Sequence, residues 1–187
     1  MSTAIILAYV GVALMVGLSG VASAIGTATC GMASVGAMKK NGGAFGSYMI
    51  LSALPGSQGL YGFVGYFMVS SLITDNITLL AGAGIFGAGL LMGLVCLLSS
   101  YFQAKVCANG IAAIGNGHDV MGKTLILAAF PELYAILAVA ATFLISGAVA
   151  PKGDNAEAAE KTEAKTEVVA EAPAADTAAD IQYGEEL

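Results

Sequence analysis

The stretch "ILSALPGSQGLYGF", residues 50–63, sets a proline, a serine and a glutamine inside an apolar run. A second stretch, "ILAAFPELYAIL", residues 126–137, begins in the same way and then places Glu132 where the first has polar but uncharged residues. The first six letters of each, at 50–55 and 126–131, lie 76 residues apart. At the same offset "MKKNGGAFGS" at 38–47 overlies "IGNGHDVMGK" at 114–123, and the Asn41-Gly42 turn overlies Asn116-Gly117 with a shift of one residue. The register slips after the prolines, where "PGSQGLY" shortens to "PELY". The chain therefore reads as one unit written twice, with a local length change at its polar centre.

Each unit reads as a pair of membrane helices. Four apolar segments, about Thr3–Met38, Phe45–Thr74, Ile77–Ile114 and Val120–Ala150, reach or exceed the roughly 20 residues that span a bilayer. None alternates with period two, so helices rather than barrel strands satisfy the backbone in lipid. The breaks between them, "KKNGGA", "TDN" and "GNGHD", are short, which makes sequential helices antiparallel neighbours. The expected fold is all-α: four transmembrane helices as two duplicated antiparallel hairpins, 1–76 and 77–150. An even number of helices per unit makes the two copies run in the same sense.

Composition agrees and divides the chain. Apolar residues make up 57% and charged residues 11%, outside the range of an ordinary soluble domain. Residues 1–150 carry Lys39, Lys40, Lys105 and Lys123 against Asp75, Asp119 and Glu132, for a net +1. Residues 151–187 carry three lysines and ten acids, for a net −7. The overall charge of −6 thus belongs to this Ala/Glu-rich tail, which is expected to be disordered and solvated. The three cysteines, Cys30, Cys96 and Cys107, fit no disulfide framework or metal site, and small buried thiols are expected. "VASA" at 21–24 looks like a cleavage site, yet no Lys or Arg precedes the long first apolar run, so a retained helix is expected. All four lysines of the body lie in or near the two intra-hairpin loops, which predicts cytoplasmic loops and both termini outside. Glycines crowd the first and third segments. Close packing within one bundle and a tight inner layer in an oligomer both explain them.

Glu132 is the only acid within any of the four segments, and an ionisable group at that depth is a functional candidate. Leu54, Ser57, Gln58 and Tyr61 share one helical face at i, i+3, i+4 and i+7. On the third segment Ser99, Ser100 and Gln103 cluster at i, i+1 and i+4. Carboxylate, amide and hydroxyl oxygens are hard donors suited to hard cations. One carboxylate matches one monovalent charge, so Na⁺ is favoured, while proton carriage needs only the acid. A direct ligand role and helix kinking both account for Pro55 and Pro131.

These residues, together with "LPGSQGLYGF", "FQAKVCANGI" and "ELYAIL", resemble the membrane-rotor proteolipid, subunit K or c, of V/A-type rotary ATPases, and the sodium-translocating bacterial members most. The resemblance covers about residues 3–150. It implies a non-catalytic component that assembles into a homo-oligomeric ring in the cell membrane. It also implies a stator membrane subunit bearing an arginine, a central-stalk subunit and surrounding lipid as partners, with ATP handled on other subunits and no nucleic acid involved. The Na⁺ ligands it implies are the Glu132 carboxylate, the Gln58 and Gln103 side chains, the Ser57 hydroxyl and the Leu54 carbonyl, with Tyr61 holding the glutamate. Ser57 stands where that group usually has threonine, and Pro131 immediately before Glu132 departs from its pattern. A proton-carrying rotor, a pore-forming proteolipid and a purely structural membrane protein are the other readings of the polar cluster.

Overall fold

The computed structural model describes residues 2–150, so the expectation of a disordered tail over 151–187 lies outside the described residues. Five α-helices follow one another: α1 (Thr3–Met38), α2 (Phe45–Ala53), α3 (Ser57–Ser70), α4 (Leu79–Gly115) and α5 (Met121–Val149). Short 3₁₀ turns cover Gly42–Ala44 and Leu54–Gly56. Residues up to Ala150 form one compact unit.

α1, α4 and α5 are each long and apolar enough to cross a membrane. At 36 and 37 residues, α1 and α4 extend about 54–56 Å at 1.5 Å per residue, well beyond a hydrocarbon core of roughly 30 Å. The expected continuous second helix over Phe45–Thr74 is instead divided. Pro55, which has no N–H to donate, sits within the 3₁₀ turn that separates α2 from α3. Pro131 has no such effect, and α5 runs through it without interruption.

Helix ends follow local chemistry. The Ser2 hydroxyl accepts from Ile5 N at 3.4 Å and opens α1. Thr78, in extended conformation, accepts from Ala81 N at 3.1 Å and opens α4, two residues after the apolar run begins. α3 closes at Ser70 because the next bonds tighten to Leu72 N–Val69 O (3.1 Å) and Ile73 N–Ser70 O (3.3 Å).

The central contact is α1 against α4, with α5 packed on α4 and α2 and α3 on α1. Glycine makes the central crossing possible. A Cβ on Gly89 would strike the carbonyl of Gly11, and one on Gly82 would strike the carbonyl of Ala4. Gly17, Gly20, Gly31 and Gly87 instead meet nothing within 4 Å. Two sets of glycines are therefore distinguishable: one packs the bundle and the other lies on its surface. That surface also carries Ile6, Val21, Ile25, Leu94, Leu98, Leu133 and Leu137 in exposed positions, as suits a membrane protein.

The loop that follows α1 and the loop that follows α4 meet at one end of the bundle. Lys40 Nζ donates to Asn116 Oδ1 at 2.8 Å, and Asn41 Nδ2 donates to the Ile114 carbonyl at 3.4 Å. The two Asn-Gly pairs differ in shape: of the two glycines only Gly117 takes a positive φ (91°), whereas Gly42 opens a 3₁₀ turn. All three cysteines are free and buried.

Candidate cation site

The break at Pro55 is repaired from two neighbouring helices. In an unbroken helix Gly59 N would bond the Pro55 carbonyl. Here it donates to Ser23 Oγ of α1 at 2.7 Å, and that hydroxyl donates to the Gly56 carbonyl at 3.1 Å. The Pro55 carbonyl accepts from Ser100 Oγ of α4 at 2.9 Å, with the Ala22 carbonyl equally close to the same hydroxyl. Gly26 of α1 admits this junction, since a Cβ there would come within 2.5 Å of Pro55 Cβ and 2.6 Å of Ser100 Oγ. Non-helical backbone at membrane depth is tolerated when buried in protein and re-bonded in this manner. The consequence is a firmly placed start for α3, and with it Gln58 and Tyr61.

Glu132 projects from the middle of α5 and is half-buried. Each carboxylate oxygen has one donor. Tyr61 Oη of α3 donates to Oε1 at 2.6 Å, and Gln103 Nε2 of α4 donates to Oε2 at 2.9 Å. Three helices thus converge on a single carboxylate. Gln103 Nε2 also donates to the Ala128 carbonyl at 3.1 Å, one turn earlier on α5. Gln58, fully buried, donates from Nε2 to Gln103 Oε1 at 2.9 Å and to Ser99 Oγ at 3.2 Å. Ser99 in turn donates to the Pro131 carbonyl at 2.8 Å.

A proton count shows the imbalance of this cluster. Each carboxamide nitrogen has two hydrogens and each hydroxyl one. Both hydrogens of Gln58 and both of Gln103 are directed at acceptors, as are those of Ser99 and Tyr61. Gln58 Oε1 remains buried with no hydrogen-bond partner. Such an atom is costly unless something positively polarised meets it. Among the described residues no three His, Cys, Asp or Glu side chains come together, so the charge on offer is that of a single carboxylate.

The expected ligands are not all placed alike. Glu132, Gln58, Gln103 and Tyr61 are joined in one hydrogen-bonded cluster. Gln103 presents its amide hydrogens rather than its oxygen to the carboxylate. Ser57 and Leu54 are paired with each other, the hydroxyl donating to the carbonyl at 3.1 Å. Ser99 belongs to the cluster although it is absent from the expected ligand set. Its spacing of four residues from Gln103 is the signal in the sequence that points to it.

Known proteins match this sequence. The family of the ATP synthase C subunit matches twice, over residues 10–69 and 86–145, each boundary displaced by the same 76 residues. The chain belongs to the ATP synthase C-subunit family. As a member it is a membrane rotor proteolipid of the V/A-type rotary ATPases, a non-catalytic part of machines whose ATP chemistry is on other subunits. It is 35% identical over 127 residues to the V-type sodium ATPase subunit K of Enterococcus hirae, covering 68% of this chain and 81% of that one. It is 32% identical over 141 residues to the A-type ATP synthase subunit K of Methanocaldococcus jannaschii, covering 75% of this chain and 62% of that protein. Proteins of this family form rings of helical hairpins, which gives the outward-facing glycines Gly17, Gly20, Gly31 and Gly87 a natural use.

Proposed function

We propose that this rotor proteolipid carries Na⁺ on Glu132, one ion per chain, with Gln58 as the principal neutral ligand and Tyr61 as the group that holds the carboxylate. The observation that carries the reading is the buried, donor-less Gln58 Oε1 in the same hydrogen-bonded cluster as a mid-helix carboxylate. Oxygen donors of this kind replace the hydration of a hard monovalent cation. The name of the Enterococcus hirae relative, a sodium ATPase subunit, points the same way. Ser57 has oxygen lone pairs beyond the bond it donates, and Gln103 has one beyond its bond from Gln58, whereas the Leu54 carbonyl, which accepts from both Ser57 Oγ and Ser57 N, reaches the ion only when the hydroxyl turns away. They complete the proposed shell.

With its ion bound, Glu132 is effectively neutral and moves with the ring through lipid. Facing the stator, an arginine on that subunit favours the empty, charged form and releases the ion. The transmembrane potential supplies about 2.3 kcal/mol per charge per 100 mV to this exchange. In the same reading α2 and α3 together make a fourth span, the chain is a duplicated hairpin, and both loops face the cytoplasm with the body's lysines. The central stalk docks on the ring at that side.

Carbodiimide labelling tests the assignment. The reagent modifies a protonated carboxyl, and a bound cation blocks it. Labelling confined to Glu132 and suppressed by Na⁺ supports the proposal. Labelling that Na⁺ leaves untouched assigns the proton as the coupling ion, and no labelling at any pH removes the carrier role.

A further inference from the structure

The two hydrogen bonds of Ser99 give it a part in the site that goes beyond packing. Ser99 is 6% exposed and lies on α4 between α3 and α5. Its hydroxyl has one hydrogen, which goes to the Pro131 carbonyl at 2.8 Å. What it can turn toward Gln58 is therefore a lone pair, and Gln58 Nε2 lies 3.2 Å away. Gln103 Oε1, at 2.9 Å, is the second acceptor for the same nitrogen. Rotating the Gln58 amide by half a turn would set its oxygen against two acceptors and leave both without a donor. The amide is thus held with Oε1 facing away from Ser99 and Gln103, as the unmatched atom.

We infer that Ser99 is a positioning residue: by accepting from Gln58 and donating to Pro131, it fixes the Gln58 carboxamide with its oxygen presented to the transported cation. The inference rests on the sodium reading above. Ser99 does not touch the ion itself and acts only through Gln58. Its link to Pro131, the residue before Glu132, also sets the neutral ligand and the charged one from a single side chain.

Ser99 borders a groove of about 460 Å³ beside Leu98, Phe102, Phe130 and Tyr134, so a threonine methyl has room there. The test is the Na⁺ concentration that half-protects Glu132 from carbodiimide in membranes holding the full complex. In Ser99→Ala that concentration rises about tenfold, the equivalent of about 1.4 kcal/mol. In Ser99→Thr it stays within about twofold of the unsubstituted protein, because the hydroxyl is retained. Labelling without Na⁺, which reports the carboxyl alone, changes less than about twofold in either variant, since Tyr61 and Gln103 hold Glu132 directly. Should Ser99→Ala fail to assemble, Ser99→Cys keeps the volume with a weaker acceptor and shows the same rise. Unchanged protection in Ser99→Ala or Ser99→Cys overturns the inference, as does an equal change in Na⁺-free labelling, which marks a merely structural role. Absence of Na⁺ protection in the unsubstituted protein contradicts the sodium reading itself.

Discussion

The phenol of Tyr61 reaches from α3 to α5 and donates to Glu132 Oε1 at 2.6 Å. That length is in the range of a hydroxyl on an ionised carboxylate, about 2.5–2.7 Å. Together with Gln103 on the other oxygen, it fixes the carboxylate from two sides without supplying any charge. A carrier site needs this combination: the acid must be held in place, yet its charge must be left for the ion.

Tyr61→Phe removes one of those holds and little volume. Hydrogen bonds to charged groups are worth about 1.5–3 kcal/mol, so Na⁺ occupancy is expected to weaken at least about tenfold. Carbodiimide labelling of Glu132 at fixed, sub-saturating Na⁺ should accelerate. Equal labelling rates in the two proteins would show that the phenol does not hold the carboxylate.

Gln58→Leu separates the ion from the acid. It deletes the unmatched oxygen and leaves Glu132 with both of its donors. Na⁺ protection should disappear while labelling of the protonated acid persists. Na⁺ protection retained at the original concentration would remove Gln58 from the ligand shell.

The two classes of glycine predict opposite phenotypes. Gly89→Ala drives a methyl into the Gly11 carbonyl at the α1–α4 crossing and should destabilise the isolated protein by about 1–3 kcal/mol. Gly20→Ala meets nothing within 4 Å, so the protein should keep its own stability and lose ring assembly instead. Thermal unfolding in detergent, compared with ring recovery on gel filtration, distinguishes the two.

At the Pro55 break, Ser23→Ala leaves Gly59 N and the Gly56 carbonyl without the hydroxyl that joins them. The expected cost is about 1–3 kcal/mol, with looser placement of Gln58 as the functional result. Lys40→Ala, by contrast, removes an exposed contact to Asn116 and should change stability by less than about 0.5 kcal/mol. Comparing the midpoints of thermal unfolding of both variants checks the contrast.

Much of this was legible in the residues. Long apolar runs gave the helices within a few residues of their ends, because in a membrane length and composition leave little choice. Glu132 stood out as the one acid inside those runs, and the helical face of Leu54, Ser57, Gln58 and Tyr61 was readable from spacing. Three things were not. Both prolines look alike in sequence, yet Pro55 ends a helix and Pro131 does not. The difference lies with neighbours: Gly26 leaves room at Pro55, and Ser23 re-bonds the chain there. Glycine counts could not say which glycines face a neighbouring helix and which face outward. The hydrogen-bond direction at Gln103, whose amide hydrogens face Glu132, depends on where Gln58 and Ser99 lie in space.

The most direct measurement of the central claim is equilibrium binding of radioactive Na⁺ to the purified complex. One Na⁺ per copy of this protein, abolished by Glu132→Gln and retained in Lys40→Ala, is the predicted result. Binding that survives Glu132→Gln, or no Na⁺ binding by the unsubstituted complex, would contradict it.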